Sequence, residues 1–421
     1  MQVHEVMKKF TIGDGEEILI NTLKSKGSHI IDDLTNKSFL DCSSQFASLP
    51  IGWNHDKLIN SQGDLGRAAL HKISNSDYYT VELANFVEKF ASFVPDFQHL
   101  FFIEGGALAV ENGLKAAFDW KLKKLGYKEN APEDIVRNLD VIHLQQAFHG
   151  RSGYTLSLTN TVSNKTALFP KFNWTRIKNP KLKFPLIEDE SIAEEEFSLC
   201  QAEVALKSGW VAAIILETIQ GEGGDNYFSP SYFAAIRALA DKYEAMLILD
   251  EIQVGGGITG KMWAYEHFGI IPDMIIFGKK TQVCGFASTN RIDDVPDNVF
   301  HTPSRINSTW GGSICDMVRF TFIADIILQE NLLQNSEIVG KYFLEQLQQL
   351  PVITNTRGLG LMLAFDLVDA TTRNSVLATL LKKMTVLPCG ERSIRLRPSL
   401  IFSIQDADEA ISYIKEAVEI L

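Results

Sequence analysis

Three short segments of this 421-residue chain combine chemically capable residues with spacings that set them at the mouths of buried strands. The first, Phe101-Phe102-Ile103-Glu104-Gly105-Gly106-Ala107, is an apolar run entering a glycine turn, after which Val110, Leu114, Ala117 and Phe118 recur at helical spacing. Strand, turn and helix in that order leave backbone N–H groups and the positive end of a helix dipole free to hold a phosphate. The same glycines would serve a tight turn equally well. In the second, Asp250 and Glu251 close the apolar run Met246–Leu249. A carboxylate desolvated there needs a cationic partner, and a protonated pyridine nitrogen would serve. A plainer reading makes Asp250 a helix N-cap. In the third, Lys279 and Lys280 follow the apolar run Met274–Phe277. A strand-end lysine that is partly desolvated and close to another cation has a lowered pKa and attacks aldehydes. Two adjacent lysines are also what a solvated turn looks like.

Together, a phosphate cradle, a strand-end carboxylate and a strand-end lysine are the three anchors that pyridoxal 5′-phosphate requires. The elements that must position them are visible in the middle of the chain, where VAAIILE (211–217), YFAAIRALADKYE (232–244), AMLILDE (245–251) and MIIFGK (274–279) alternate strand and helix patterns. Such alternation predicts an α/β fold with a mostly parallel central sheet covered on both faces, and ligands in such sheets bind outside the carboxyl ends of the strands. The last hundred residues change character. They read as one long helix over Met317–Leu350, a strand at 357–367, a strand at 394–400 and a closing helix from Asp406. This predicts a large cofactor-binding domain over 66–315 and a smaller α+β domain built from 1–65 and 316–421, with the boundary after Gly311 and Gly312. The acidic stretch Glu188–Glu196 reads as the start of a solvated helix.

Composition narrows the functional classes. Hydrophobic residues make up 45% of the chain and charged residues 22%, an ordinary globular balance. With 40 Lys and Arg against 52 Asp and Glu, the net charge of −12 repels phosphate backbones and anionic lipid, so nucleic acid is not an expected partner. No apolar run approaches the roughly 18 residues that span a bilayer, and no signal-peptide pattern opens the chain. Five scattered cysteines without CxxC spacing argue against a disulfide framework or a zinc site and for a reducing, cytoplasmic location.

The segments GGALAVENGLKAAFDWK (105–121), AFHGRSGYTLSLTNT (147–161), ETIQGEGGD (217–225), LDEIQVGGGITGKMWAYEHFGIIPD (249–273), FGKKTQVCG (277–285) and STWGG (308–312) together resemble the class III, or ω-amino acid, aminotransferases, enzymes of the fold type I pyridoxal-phosphate group. The resemblance covers almost the whole chain. General members carry something closer to AKGLGGG around the reactive lysine, and FGKKTQVCG is similar to a branch of the family that acts on L-lysine.

The resemblance implies roles residue by residue. Lys279 bonds the cofactor aldehyde and shuttles a proton, with Lys280 a neighbouring surface or structural residue. Asp250 pairs with the pyridinium nitrogen, Gln253 with the cofactor O3′, Gly106 and Ala107 with the phosphate, and Phe148 stacks on the ring. Thr309 reaches the phosphate of a second subunit, implying a homodimer with shared active sites. Arg395 grips the α-carboxylate of glutamate or 2-oxoglutarate by a bidentate fork, and Glu222 neutralises it while lysine is bound. Arg151 holds the distal carboxylate of lysine, and Glu217 supports the arginines or the cofactor from behind. Arg397 competes locally for the Arg395 role, since period-two alternation puts both on one face of a strand. The implied reaction moves the ε-amino group of L-lysine to 2-oxoglutarate by a ping-pong route without a metal, serving either lysine catabolism or the supply of aminoadipate. Three other readings stand beside it: a related ω-aminotransferase acting on ornithine or 4-aminobutyrate, a nucleotide-binding α/β enzyme, for which the full G-x-G-x-x-G fingerprint is missing, and a cofactor-binding regulatory protein without turnover.

Overall fold

The computed structural model describes residues 3–12, 17–128, 130–186 and 188–419. Strands β1 (His29–Ile31) and β2 (Ser38–Asp41) precede the main sheet. That sheet is built from β3 (His99–Ile103), β4 (Asp140–Leu144), β5 (Arg176–Ile177), β6 (Val211–Glu217), β7 (Met246–Asp250), β8 (Met274–Phe277) and β9 (Cys284–Ser288). Its order is β3-β9-β8-β7-β6-β4-β5. The pairings β4–β5, β4–β6, β6–β7 and β7–β8 are parallel, and β9 alone runs against its neighbours β3 and β8.

The apolar runs become strands because both faces are covered. Along β6, Ile214 and Leu216 pack into one core with Phe86, Phe90, Tyr232, Phe233 and Phe320. Ala213 and Ile215 face the opposite core, formed on the helix Gly106–Lys124 by Val110, Leu114, Ala117 and Trp120. Every residue of β6, β7 and β8 is buried, at about 1.5–3 kcal/mol for each large aliphatic side chain. The parallel arrangement sends the carboxyl ends of β3, β4, β6, β7 and β8 to one edge, where the chemistry gathers.

The remaining strands are β10 (Thr354–Leu359), β11 (Met362–Asp366), β12 (Met384–Thr385), β13 (Leu387–Cys389) and β14 (Ser393–Leu396). A four-stranded antiparallel sheet has the order β10-β11-β14-β13, and a three-stranded sheet joins β1 and β2 to β12. A third core, including Phe343, Phe365, Leu396 and Ile414, packs these strands against the helices Leu332–Gln348 and Ile404–Glu419.

The C-terminal expectations need correction in detail. The long helix is two, Ile314–Gln329 and Leu332–Gln348, interrupted at Asn331, whose φ of 52° is left-handed backbone that asparagine tolerates. The segment 357–367 is a hairpin rather than one strand. It turns at Gly360, with φ of 56° and no room for a Cβ, which would lie 2.4 Å from the Ile258 carbonyl. The strand at 394–400 stops at Leu396, because the Arg397 N–H leaves the ladder for the Cys42 carbonyl at 2.6 Å and Pro398 has no N–H to offer. The closing helix starts two residues early, at Ile404, under a reciprocal Ser403–Asp406 cap. The acidic stretch begins the helix Glu188–Leu206, as its charge pattern predicts.

Candidate active site

The site is a cavity of about 190 Å³ at the carboxyl edge of the seven-stranded sheet, lined by Gly106, Ala107, Phe148, His149, Glu217, Asp250, Ile252, Gln253 and Lys279 among others. Each enters from the end of a strand. After β3, Gly105 takes a φ of +96° and the helix Gly106–Lys124 begins, leaving its first N–H groups directed at the cavity. Gly106 packs so closely on Ile252 that an added Cβ would lie 3.0 Å from its Cδ1.

Asp250 and Glu217 end adjacent strands and are paired in register. Asp250 is 5% exposed; its Oδ2 lies 2.8 Å from His149 Nδ1 and its Oδ1 accepts from the Ile252 N–H at 3.1 Å. No helix follows it, so the N-cap alternative does not hold. Glu217 accepts from the Phe148 N–H at 2.9 Å and the Gly221 N–H at 3.0 Å. Burial pushes its pKa up to about 7, with His149 opposing and the Asp250 charge adding. Glu217 thus builds the cavity wall by fixing two backbone segments, and among the described residues it forms no ion pair with an arginine.

Lys279 follows β8 with a φ of 54°, a backbone conformation rare for a residue with a side chain. Burial, and then the nearby charge of Arg395, bring its pKa down to about 8, against the pull of Asp250. Lys280 is no surface residue: it is 2% exposed, its pKa is held well below the ordinary lysine range by burial, and its Nζ donates to the Gln253 carbonyl at 2.9 Å.

Gln253 connects the cavity to the second sheet. Its Oε1 accepts from Arg395 Nη1 at 3.2 Å and from Arg397 Nη2 at 3.4 Å. The two arginines differ in what surrounds them. Arg397 is 1% exposed and paired with the buried Asp225. Arg395 is 6% exposed, faces no carboxylate among the described residues, and leaves its Nε without an acceptor. A buried guanidinium in that condition is costly until an anion arrives.

Glu222, Arg151 and Thr309 are not among the residues that line the cavity. Glu222 pairs with Lys165 and accepts from the Thr161 hydroxyl at 3.3 Å, and is not paired with Arg395. Arg151 is exposed and outside the cavity lining. Thr309 is exposed too, on a segment tied to the chain at 74–76 through the Ser74, Asn75 and Ser76 hydrogen bonds. Sequence reasoning passed over His149, Asp225, Lys165 and Ile252. An imidazole five residues beyond a strand has no periodicity to single it out, and Asp225 meets Arg397 only through folding.

The donors present suit pyridoxal phosphate. The first N–H groups of the helix would hold a phosphate, the buried Asp250 carboxylate would hold a protonated ring nitrogen, and Lys279, of lowered basicity, would take up an aldehyde. Fold and site define a pyridoxal-phosphate-dependent aminotransferase. The chain belongs to the class-III aminotransferase family, whose model matches residues 12–418. It is 44% identical to an L-lysine-epsilon aminotransferase of Mycobacterium tuberculosis over 100% of this chain and 96% of that protein. It is 43% identical to an L-lysine-epsilon aminotransferase of Streptomyces clavuligerus over 99% of this chain and 94% of that one. The solved lysine aminotransferase of M. tuberculosis superposes with a TM-score of 0.95 at 43% identity, covering 100% of this chain and 99% of the other. Among the described residues, no helix is long and apolar enough to cross a membrane.

Proposed function

We propose that this chain transfers the ε-amino group of L-lysine to 2-oxoglutarate, giving 2-aminoadipate 6-semialdehyde and L-glutamate. The observation that carries it is a buried lysine of lowered basicity in the cavity with, one hydrogen bond behind the lining residue Gln253, a buried arginine that pairs with no carboxylate among the described residues. Relatives named for lysine, similar over their whole length, support the donor. When bound, pyridoxal phosphate supplies the aldehyde that takes up the amino group and the ring that draws electrons from the carbon being deprotonated. Lys279 Nζ holds that aldehyde between turnovers and carries a proton to and from the substrate carbon. Asp250, oriented by His149, keeps the ring nitrogen protonated. Phe148 covers the ring face, Gln253 meets its hydroxyl, and Gly106 and Ala107 hold the phosphate through their N–H groups. Arg395 receives the α-carboxylate of the acceptor, Glu222 neutralises Arg395 when lysine is bound, and Arg151 meets the distal carboxylate of lysine.

The same reading takes 66–315 as the cofactor domain, 1–65 and 316–421 as the small domain, a homodimer as the working form and the cytoplasm as its place. The homodimer is supported by large apolar side chains left exposed next to the Thr309 segment, with Tyr78 72% and Tyr79 87% exposed. Five free cysteines agree with a reducing compartment.

The test is the visible absorbance of the cofactor on the purified holoenzyme. L-Lysine should bleach it, 2-oxoglutarate should restore it, and Lys279→Ala should show neither response. Turnover of ornithine or 4-aminobutyrate in preference to lysine would move the assignment to another ω-aminotransferase.

A further inference from the structure

Arg395, which pairs with no carboxylate among the described residues, belongs to the same region as a glutamate, Glu222, that is held by another cation. Glu222 follows Gly221, whose α-carbon is so close to Gln253 that a Cβ there would lie 1.9 Å from Oε1, the atom to which Arg395 donates. The Glu222 carbonyl accepts from the Gly390 N–H at 2.9 Å, on the turn leading into β14 and Arg395. The backbone of Glu222 thus adjoins the elements that carry Gln253 and Arg395, yet its carboxylate sits on Lys165 and the Thr161 hydroxyl. Lys165 is at the rim of the same cavity, its Nζ 5.8 Å from the centroid of the Phe148 ring.

We propose that Lys165 and Thr161 form a second seat for Glu222, which holds this carboxylate away from Arg395 while the dicarboxylate acceptor binds. The inference rests on the reading above, in which Glu222 neutralises Arg395 for lysine. The exposure of the pair suits an exchange: the Lys165 side chain is 32% exposed and that of Glu222 19%, so the attraction is partly screened by water. A fully buried pair, like Arg397 with Asp225, would be too costly to part. Lys165 is thus a positioning residue that sets substrate preference through Glu222. With the seat occupied, Arg395 is a bare cation complementary to an α-carboxylate. With the seat empty, Glu222 and Arg395 cancel, and the cavity accepts an uncharged chain ending in an amine.

The experiment follows the two half-reactions of the holoenzyme separately by cofactor absorbance, for Lys165→Met, Lys165→Arg, Glu222→Gln and the double variant Lys165→Met/Glu222→Gln. Losing the seat should raise the half-saturating concentration of 2-oxoglutarate about fivefold, the order expected of one partly screened ion pair. It should lower that of lysine, so the two half-reactions move in opposite directions, which general damage to the fold would not produce. Lys165→Arg should restore both. In the Glu222→Gln background, Lys165→Met should have no further effect on 2-oxoglutarate. Parallel losses in both half-reactions, or a Lys165→Met effect that persists without Glu222, overturn the proposal. If Glu222→Gln shifts the balance between donor and acceptor but Lys165→Met shifts neither, the seat alone is wrong. If Glu222→Gln shifts neither, the underlying reading of Glu222 falls as well.

Discussion

Lys279 acts from left-handed backbone, a conformation that costs a residue with a side chain on the order of 1–3 kcal/mol and persists only where the surroundings impose it. Its amine is poised by burial and by Arg395, and the sign of the consequence is direct. Only the neutral amine attacks an aldehyde, so with a pKa near 8 the rate at which apoenzyme captures added pyridoxal phosphate should rise with pH up to about 8 and then level. An ordinary lysine would keep rising to about 10.4. Arg395→Met removes a neighbouring cation and should displace that profile to higher pH, as stopped-flow absorbance would record. Asp250 carries the second prediction. Asp250→Asn keeps the side-chain shape but loses the charge that in the proposed reading meets the ring nitrogen, a loss of about 2–3 kcal/mol for a charge-assisted hydrogen bond, or roughly 10²-fold in the rate of either half-reaction. Cofactor content measured on the purified variant should remain near one per chain, since phosphate and lysine contacts are untouched.

The elements explain why the site holds its shape. Gly221 leaves the space that Gln253 fills, and Gln253 in turn steadies Arg395. Gly221→Ala should push Gln253 aside, raise the 2-oxoglutarate half-saturation several-fold and leave the melting temperature close to that of the parent. Steady-state kinetics beside a thermal melt would separate this from unfolding. Much of this architecture was legible in the sequence. The runs 211–217, 246–250 and 274–277 announced buried parallel strands because covered sheets tolerate unbroken apolar sequence, and the residues that close them, Glu217, Asp250 and Lys279, all line the cavity. What stayed hidden depends on tertiary geometry. Asn331 and Gly360 interrupt apolar patterns that are locally continuous, since the break is set by backbone handedness and by the closeness of Ile258. The partners of Glu222, Lys280 and Arg397 lie 57, 27 and 172 residues away in sequence, and nothing local announces them.

At the scale of the whole molecule, Thr309 is not among the residues lining its own cavity, and exposed Tyr78 and Tyr79 adjoin the 74–76 segment tied to it. If a second copy completes the phosphate site, specific activity should fall on dilution in step with the dimer-to-monomer transition seen by sedimentation, and added pyridoxal phosphate should oppose both. Activity that survives as monomer would assign Thr309 a different role. The arrangement of cores has a consequence for how such a protein can change over evolutionary time. The groups proposed to face the cofactor, Lys279 and Asp250, are rooted in the seven-stranded sheet, whereas the cation proposed for the substrate, Arg395, is rooted in the four-stranded sheet with its own core, and the two meet through the side chain of Gln253. Substitutions that alter which amine is accepted can accumulate on the smaller sheet and the 217–225 loop while the reactive half stays intact. A chain of this design can exchange one substrate for another without passing through an inactive ancestor.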